Sequence, residues 1–175
     1  INNTGLSDAK DGVDFGQRGT ILLQDPSSFS IVSVVSSLDS VTLGANPSWQ
    51  VSVNVENTGE ANVDLDLSNT DSTWLQFYSQ GVIAPQFNIE RPTSLQNSGG
   101  TVLAGGASDL LLYNITSNSA SVGEYEIKAA VKATETNTQT IFQDETQFTR
   151  FDSVEIVAPS SISYVANSLA PVQAA

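Results

Sequence analysis

Three kinds of side chain in this sequence have the types and spacing for chemistry: close carboxylates, a few lysines among many serines, and one short aromatic run. The chain has no histidine and no cysteine, which excludes nucleophile–base arrangements built on imidazole or thiolate. What remains is a Ser/Lys pair or a carboxylate pair. The lysines are Lys10, Lys128 and Lys132, and alternation puts the last two on the outward side of their strand beside Glu126. Ammonium groups placed this way read as solvated cross-strand charges. The same outward phase argues against a Lys–Asn isopeptide crosslink, which needs a buried lysine. Asp64 and Asp66 share one strand face, roughly 6 to 7 Å apart by the rise per residue. That separation suits a retaining glycosidase pair only inside a cleft, whereas on an open face it serves solubility and edge protection. Asp8, Asp11 and Asp14 surround Gly12 in "SDAKDGVDFG", and such an oxygen-rich turn is what calcium takes, so calcium near these three is the one metal expectation. Their spacing fits no calcium-loop signature, and no zinc, haem or phosphate-loop pattern occurs. No catalytic residue, no cofactor and no enzyme activity is expected.

Two further groups bear on surface chemistry. The sequons Asn2-Asn3-Thr4 and Asn114-Ile115-Thr116 make Asn2 and Asn114 candidate glycosylation sites, with Asn114 on the outward phase of its strand. In "WLQFYS", Trp74, Gln76 and Tyr78 share one face while Leu75, Phe77 and Ser79 share the other. Trp74, Phe77 and Tyr78 are therefore the candidates for an aromatic sugar platform. The competing expectation for Trp74 is burial beneath the 82–96 segment.

The elements that must position these residues are strands. Residues 48–68 read "SWQVSVNVENTGEANVDLDLS" and alternate with little exception: Trp49, Val51, Val53 and Val55 inward, then Val63, Leu65 and Leu67 inward. Period-two alternation means one face on a core and one in water. The polar break at 57–60 predicts a hairpin turn, with Gly59 at positive φ. Further strands are predicted at 73–79, 109–117 and 123–134, with two more between 140 and 158. Pro85 and Pro92 mark 81–92 as an irregular edge, and the two glycine pairs of 97–108 read as loop. No segment carries helical periodicity. The predicted core is Trp49, Val51, Val53, Leu65, Leu67, Leu111, Tyr113, Tyr125, Ile127 and Val131. The fold class is all-β, an immunoglobulin-like antiparallel sandwich with extended terminal segments.

Composition narrows the partners. Lys plus Arg total 6 against 19 Asp plus Glu, a formal charge of −13 that repels phosphate backbones and anionic lipid heads. Nucleic acid is thus not an expected partner. No run approaches the roughly 20 apolar residues of a membrane span. A chain lacking Cys, Met and His suits an oxidising exterior. An Ile at position 1 and no remaining signal peptide point to a processed chain, secreted or attached to the cell surface.

Residues 40–158 resemble the immunoglobulin-like modules of the CARDB and NEW3 type, found in bacterial and archaeal extracellular proteins. The resemblance rests on "VSVNVENTGEANVDLDL", on the Gly-rich turn and strand "LAGGASDLLLYNIT", and on "SVGEYEIKAAVKA". It implies a spacer, adhesive or assembly module, and says little about activity.

The ends fall outside that resemblance. Residues 1–39 hold two β-prone runs, 19–24 and 28–37, which are either the first strands of the same sandwich or a donor strand for a neighbour. For the donor, Ile21, Leu23, Phe29 and Ile31 are the expected interface residues. "INNTG" at the start echoes "VENTG" at 55–59, as if a module boundary cut a hairpin. Residues 159–175, rich in Ala, Ser and Pro, read as an extended linker or connecting strand. The function expected is a non-catalytic extracellular structural protein, a filament subunit or tandem module of a surface fibre joined by strand complementation. Its partners are copies of itself or neighbouring like modules. The alternative is a carbohydrate-binding accessory module of a secreted enzyme or adhesin, with a glycan as ligand.

Overall fold

The computed structural model describes residues 24–44, 47–117, 119–146 and 150–161. Among them every regular element is a strand. One sheet runs β1 (Phe29–Ser36), β3 (Ser48–Asn57), β9 (Ser108–Ser117), β7 (Phe87–Glu90), antiparallel throughout. The facing sheet runs β2 (Ser40–Thr42), β12 (Asp152–Val157), β10 (Gly123–Glu135), β4 (Val63–Leu65), β8 (Val102–Leu103). In the same sheet β11 (Ile141–Glu145) and β5 (Trp74–Ser79) also pair with β10, and β6 (Val82–Ile83) pairs with β5. The first sheet has the A-B-E-D order of an immunoglobulin domain, and β10 takes the F position between the C and G strands. Tyr125, near the start of β10, adds the matching corner: its hydroxyl donates to the Ser121 carbonyl at 3.0 Å and accepts from the Ser121 N–H at 3.1 Å.

The core lies between the sheets, and all ten predicted core residues are buried. An aromatic cluster joins the two layers: Phe77 stacks on Phe87 with centroids 4.0 Å apart, and Trp49 meets both edge-on at 6.2 and 6.1 Å. Each such side chain removed from water contributes about 1.5–3 kcal/mol before entropy is set against it.

Several expectations change. The 49–67 unit is not a hairpin. β3 pairs with β1 and β9, whereas β4 pairs with β10 and β8 in the opposite sheet, so the 58–62 connection is an arch between layers. Alternation is identical for both arrangements, since either buries one face of each strand. Gly59 does not take positive φ. A Cβ on it would sit 2.0 Å from the Pro26 carbonyl oxygen, so close approach of the 24–28 backbone is what requires glycine. The sandwich is not wholly antiparallel, because β2 leaves the first sheet and adds parallel to β12. The predicted loop at 97–108 contains the short strand β8. The sandwich also begins before residue 40: β1 is an integral strand, with a bulge at Val32 that throws its inward phase from Phe29 and Ile31 to Val34 and Ser36.

β10 is the long central strand, and both of its neighbours break beside its middle. On one side the chain leaves β4 and returns as β5; on the other it leaves β11 and returns as β12. Buried threonine hydroxyls fill both gaps. Thr73 Oγ1 accepts from the Lys132 N–H at 3.1 Å, and Thr146 Oγ1 accepts from the Ala129 N–H at 2.9 Å. The broken ladders thus leave no orphan amide on β10 at these two points.

Candidate functional site

Two features of the surface stand apart from plain scaffold: the way β1 is held, and the outer face of the second sheet.

β1 is held at its entry by a buried amide. Asn57, predicted only as a turn residue, is fully buried at the end of β3. Its Oδ1 accepts from the N–H groups of Ser28 at 3.1 Å and Gly59 at 3.2 Å, while its Nδ2 donates to the carbonyls of Ala61 at 2.8 Å and Ala104 at 3.3 Å. One side chain thereby ties the incoming strand, the arch and the 104–107 turn. Gly105 permits the last contact, since a Cβ there would meet the Glu60 carbonyl oxygen at 2.0 Å. Beside it the buried Glu135 carboxyl accepts from Ser27, from the hydroxyl at 2.9 Å and from the N–H at 3.3 Å.

Along its outer edge β1 pairs with no strand among the described residues, and two carboxylates and a backbone carbonyl from 144–152 stand in for one. Asp144 Oδ2 accepts from the Ile31 N–H at 2.8 Å, the Arg150 carbonyl from Val34 at 3.1 Å, and Asp152 Oδ2 from Ser36 at 2.7 Å. Arg150 closes the clasp: its guanidinium is bidentate on Asp144 at 2.7 and 2.8 Å and also donates to the Ile31 carbonyl. Burial works against the Asp144 charge, but the hydrogen bonds from Arg150 and the Ile31 N–H outweigh it and hold the carboxyl below its ordinary range. Asp144 in turn raises Arg150.

The outer face of the second sheet carries the charged and aromatic side chains. Register puts Trp74 beside Ala130, Gln76 beside Lys128 and Tyr78 beside Glu126. Trp74 and Tyr78 are half-buried on this face, and Phe77 points into the core. Lys128 pairs with Glu126 at 2.8 Å and lies 4.6 Å from the Tyr78 ring centre and 5.7 Å from that of Phe151. Next along the sheet, Asp64 and Asp66 line a groove of about 640 Å3 with Thr93, Thr101, Thr134 and Gln139. Asp66 faces Lys132 at 3.8 Å and accepts from the Ser68 hydroxyl at 3.2 Å. Lys128 and Lys132 are thus outward and engaged, as their phase predicts, while Lys10 lies outside the described residues.

The remaining predicted residues divide in two. Phe29 and Ile31, expected to fill a neighbour's core, are buried in this chain's own. Asn114 is exposed mid-strand on the opposite sheet, where its Nδ2 donates to Glu90 at 3.1 Å and its Oδ1 accepts from Gln50 at 3.0 Å. Ile21, Leu23, Asn2, Asp8, Asp11 and Asp14 lie outside the described residues, as does the tail from 162. No cluster of three or more metal-ligating side chains occurs among the described residues. Nor is any described helix long and apolar enough to cross a membrane.

Sequence comparison finds no family that matches this chain and no characterised protein related to it. Among solved structures, a CARDB domain from Pyrococcus furiosus, solved with a pair of metal ions, is 15% identical over 80% of this chain and 100% of that one, with a TM-score of 0.37. The secreted serine protease VesC of Vibrio cholerae is 14% identical with a TM-score of 0.35; the match covers 87% of this chain but only 26% of the protease. The cupredoxin domain of amoB from Nitrosocaldus yellowstonii is 8% identical over 86% of this chain and 94% of that one, at a TM-score of 0.36. At such identities and scores the immunoglobulin-like assignment stands on strand order and register, and nothing about activity carries over.

Proposed function

We propose that this chain is a non-catalytic structural module of an extracellular filament or surface fibre, and that β1 is the element exchanged between neighbouring copies. The observation that carries the reading is how β1 is attached. It precedes every other described strand, it supplies Phe29, Ile31 and Val34 to the core, and among the described residues its outer edge is closed by two carboxylates and a backbone carbonyl instead of a strand. A strand with those properties makes the same contacts when it comes from another copy, with 37–39 as the hinge. Ile21 and Leu23 precede it in sequence and would extend the same join. Backbone pairing combined with apolar burial at about 25 cal/mol per Å2 gives joins that resist heat and detergent. A non-catalytic role is supported by Lys128 and Lys132 facing outward in ion pairs, and by the pairing of Asp66 with Lys132. An extracellular setting is supported by a chain without Cys or Met.

Electron microscopy and size-exclusion chromatography of the intact chain test this, alongside a chain lacking residues 1–36 and a synthetic 24–37 peptide. The intact chain is expected to form filaments or exchanged oligomers, more readily when salt or calcium screens the −13 charge. The truncated chain should stay unassembled and capture the peptide. An intact chain that remains monomeric across salt and calcium rules out self-assembly and leaves only a tandem spacer.

A further inference from the structure

The outer face of the second sheet offers more than solubility. We infer that the groove beside β4 is a binding site for a neutral polyhydroxyl ligand, a glycan, with Trp74 as its aromatic extension along the same face. The groove has about 640 Å3 of space, enough for a small ligand or a segment of a chain. Its lining is hydroxyl, amide and carboxylate along the β4 backbone, whose Leu65 and Leu67 side chains face the core, so hydrogen-bonding partners ring the groove and apolar contact is left to Trp74.

Charge selects the ligand class. Asp66 already faces Lys132 at 3.8 Å and holds the Ser68 hydroxyl, so its charge is offset within the protein. Asp64 is left as the one unbalanced charge among the described residues of the lining. A divalent cation takes six or more oxygens and favours several carboxylates, and a strongly basic peptide would find only about one net negative charge. An anionic polymer meets Asp64 and the −13 field. A carboxylate that accepts from two hydroxyls, ringed by threonines that donate and accept, matches vicinal hydroxyls of a sugar. The side chains of Asp64, Thr93, Thr101 and Thr134 make no hydrogen bond within the described residues and so keep that capacity free.

Register supplies the independent observation. On β10 the outward residues run Thr134, Lys132, Ala130, Lys128, Glu126, and their partners across the ladder include Asp64, Trp74, Gln76 and Tyr78. Groove, Trp74 and Tyr78 therefore fall on one line of roughly 26 Å from residue 134 to 126. Ala130 is the small residue in that line and lets the Trp74 side chain lie over the strand, half-exposed. An aromatic surface at that point offers apolar area to the C–H side of a sugar ring while the groove takes its hydroxyls.

The test is affinity electrophoresis of the full chain in gels holding hydroxyethylcellulose, xylan, galactomannan or dextran, with polygalacturonate as the anionic arm and calcium or EDTA in parallel lanes. At least one neutral polymer should retard the chain with EDTA present, and polygalacturonate should not. Asp64→Ala and the loop variant Thr93→Ala should each weaken retardation at least threefold, and Trp74→Ala at least tenfold. Glu124→Gln, beyond the far end of the line, should leave it unchanged. Thermal melts of each variant check that binding, and not folding, is lost. Failure of every neutral polymer overturns the inference, as does retardation that survives Asp64→Ala and Thr93→Ala together. Retardation that appears only with calcium, or only on polygalacturonate, assigns the face to a different ligand and overturns it equally. None of these outcomes depends on strand exchange.

Discussion

β1 is held by two joints of opposite character. At its entry a buried, uncharged amide, Asn57, makes four hydrogen bonds to backbone groups of three chain segments. Along its outer edge a half-exposed ion pair, Asp144 with Arg150, does the work that a neighbouring strand does elsewhere. Asn57 itself does not titrate, and loosening the buried joint by substitution leaves several buried groups unpaired. The edge joint is accessible to solvent and salt, and its energy is modest because exposed ion pairs are screened. The difference implies an order of release: the edge opens first, and the entry gives way only when the domain does.

The largest expected effect comes from the buried joint. Asn57→Ala strands the Ser28 and Gly59 N–H groups and two carbonyls, and should cost about 4 kcal/mol, given about 1–3 kcal/mol for each unsatisfied group and some relief by water. Urea unfolding measures it, and a loss under about 1 kcal/mol would mean the arch is not the anchor. Gly59→Ala comes next. The added methyl has no room beside Pro26, so the 24–28 segment must move, at about 3 kcal/mol by the cost of overpacking. If that variant assembles more readily than the parent while keeping its core, entry and edge are independent.

The edge joint should respond less. Arg150→Ala is expected to cost about 1 kcal/mol and to raise proteolysis within 24–36 before global unfolding. Its pH dependence has a definite sign. Asp144 is depressed in the folded state, so its contribution is complete above the ordinary carboxylate range, near pH 4, and is lost as pH falls through the lower folded value. Stability measured between pH 6 and pH 2 should therefore fall less steeply in Asp144→Asn than in the parent. Equal slopes would remove Asp144 from the clasp. The smallest effect belongs to a pair outside both joints: Lys132→Ala, which removes the 3.8 Å contact to Asp66, should stay within about 0.5 kcal/mol by denaturation.

Much of the fold was legible because alternation reports burial directly. Trp49 through Val55 and Tyr125 through Val131 had to present one face to a core, and they do. Which partner each strand meets was not legible, since a hairpin and an arch share one pattern, and the 58–62 connection proved to be an arch. The bulge at Val32 hid the phase of β1, because one extra residue reverses the faces that follow. Of the candidate site, the outward positions of Asp64 and Asp66 followed from local spacing, whereas spacing put Trp74 and Tyr78 on one shared face without showing which way it turns. The groove that Asp64 and Asp66 border did not follow, because Thr93, Thr101, Thr134 and Gln139 come from distant parts of the chain.

The sequence alone determined the class of the fold and the sign of its surface. Period-two patterning permits no helix to bury a face, and −13 is a sum over residues that needs no geometry. Tertiary structure decided the roles of single polar residues. Asn57 looks like any turn asparagine until β1, the arch and the 104–107 turn converge on it, and Asp144 and Arg150 look like surface charges until the edge of β1 lies against the pair. The reason is physical: an apolar side chain needs only burial, which neighbours in sequence predict. A hydrogen bond needs a particular partner at a particular distance, and for Asn57 and Asp144 the partner at β1 lies tens of residues away.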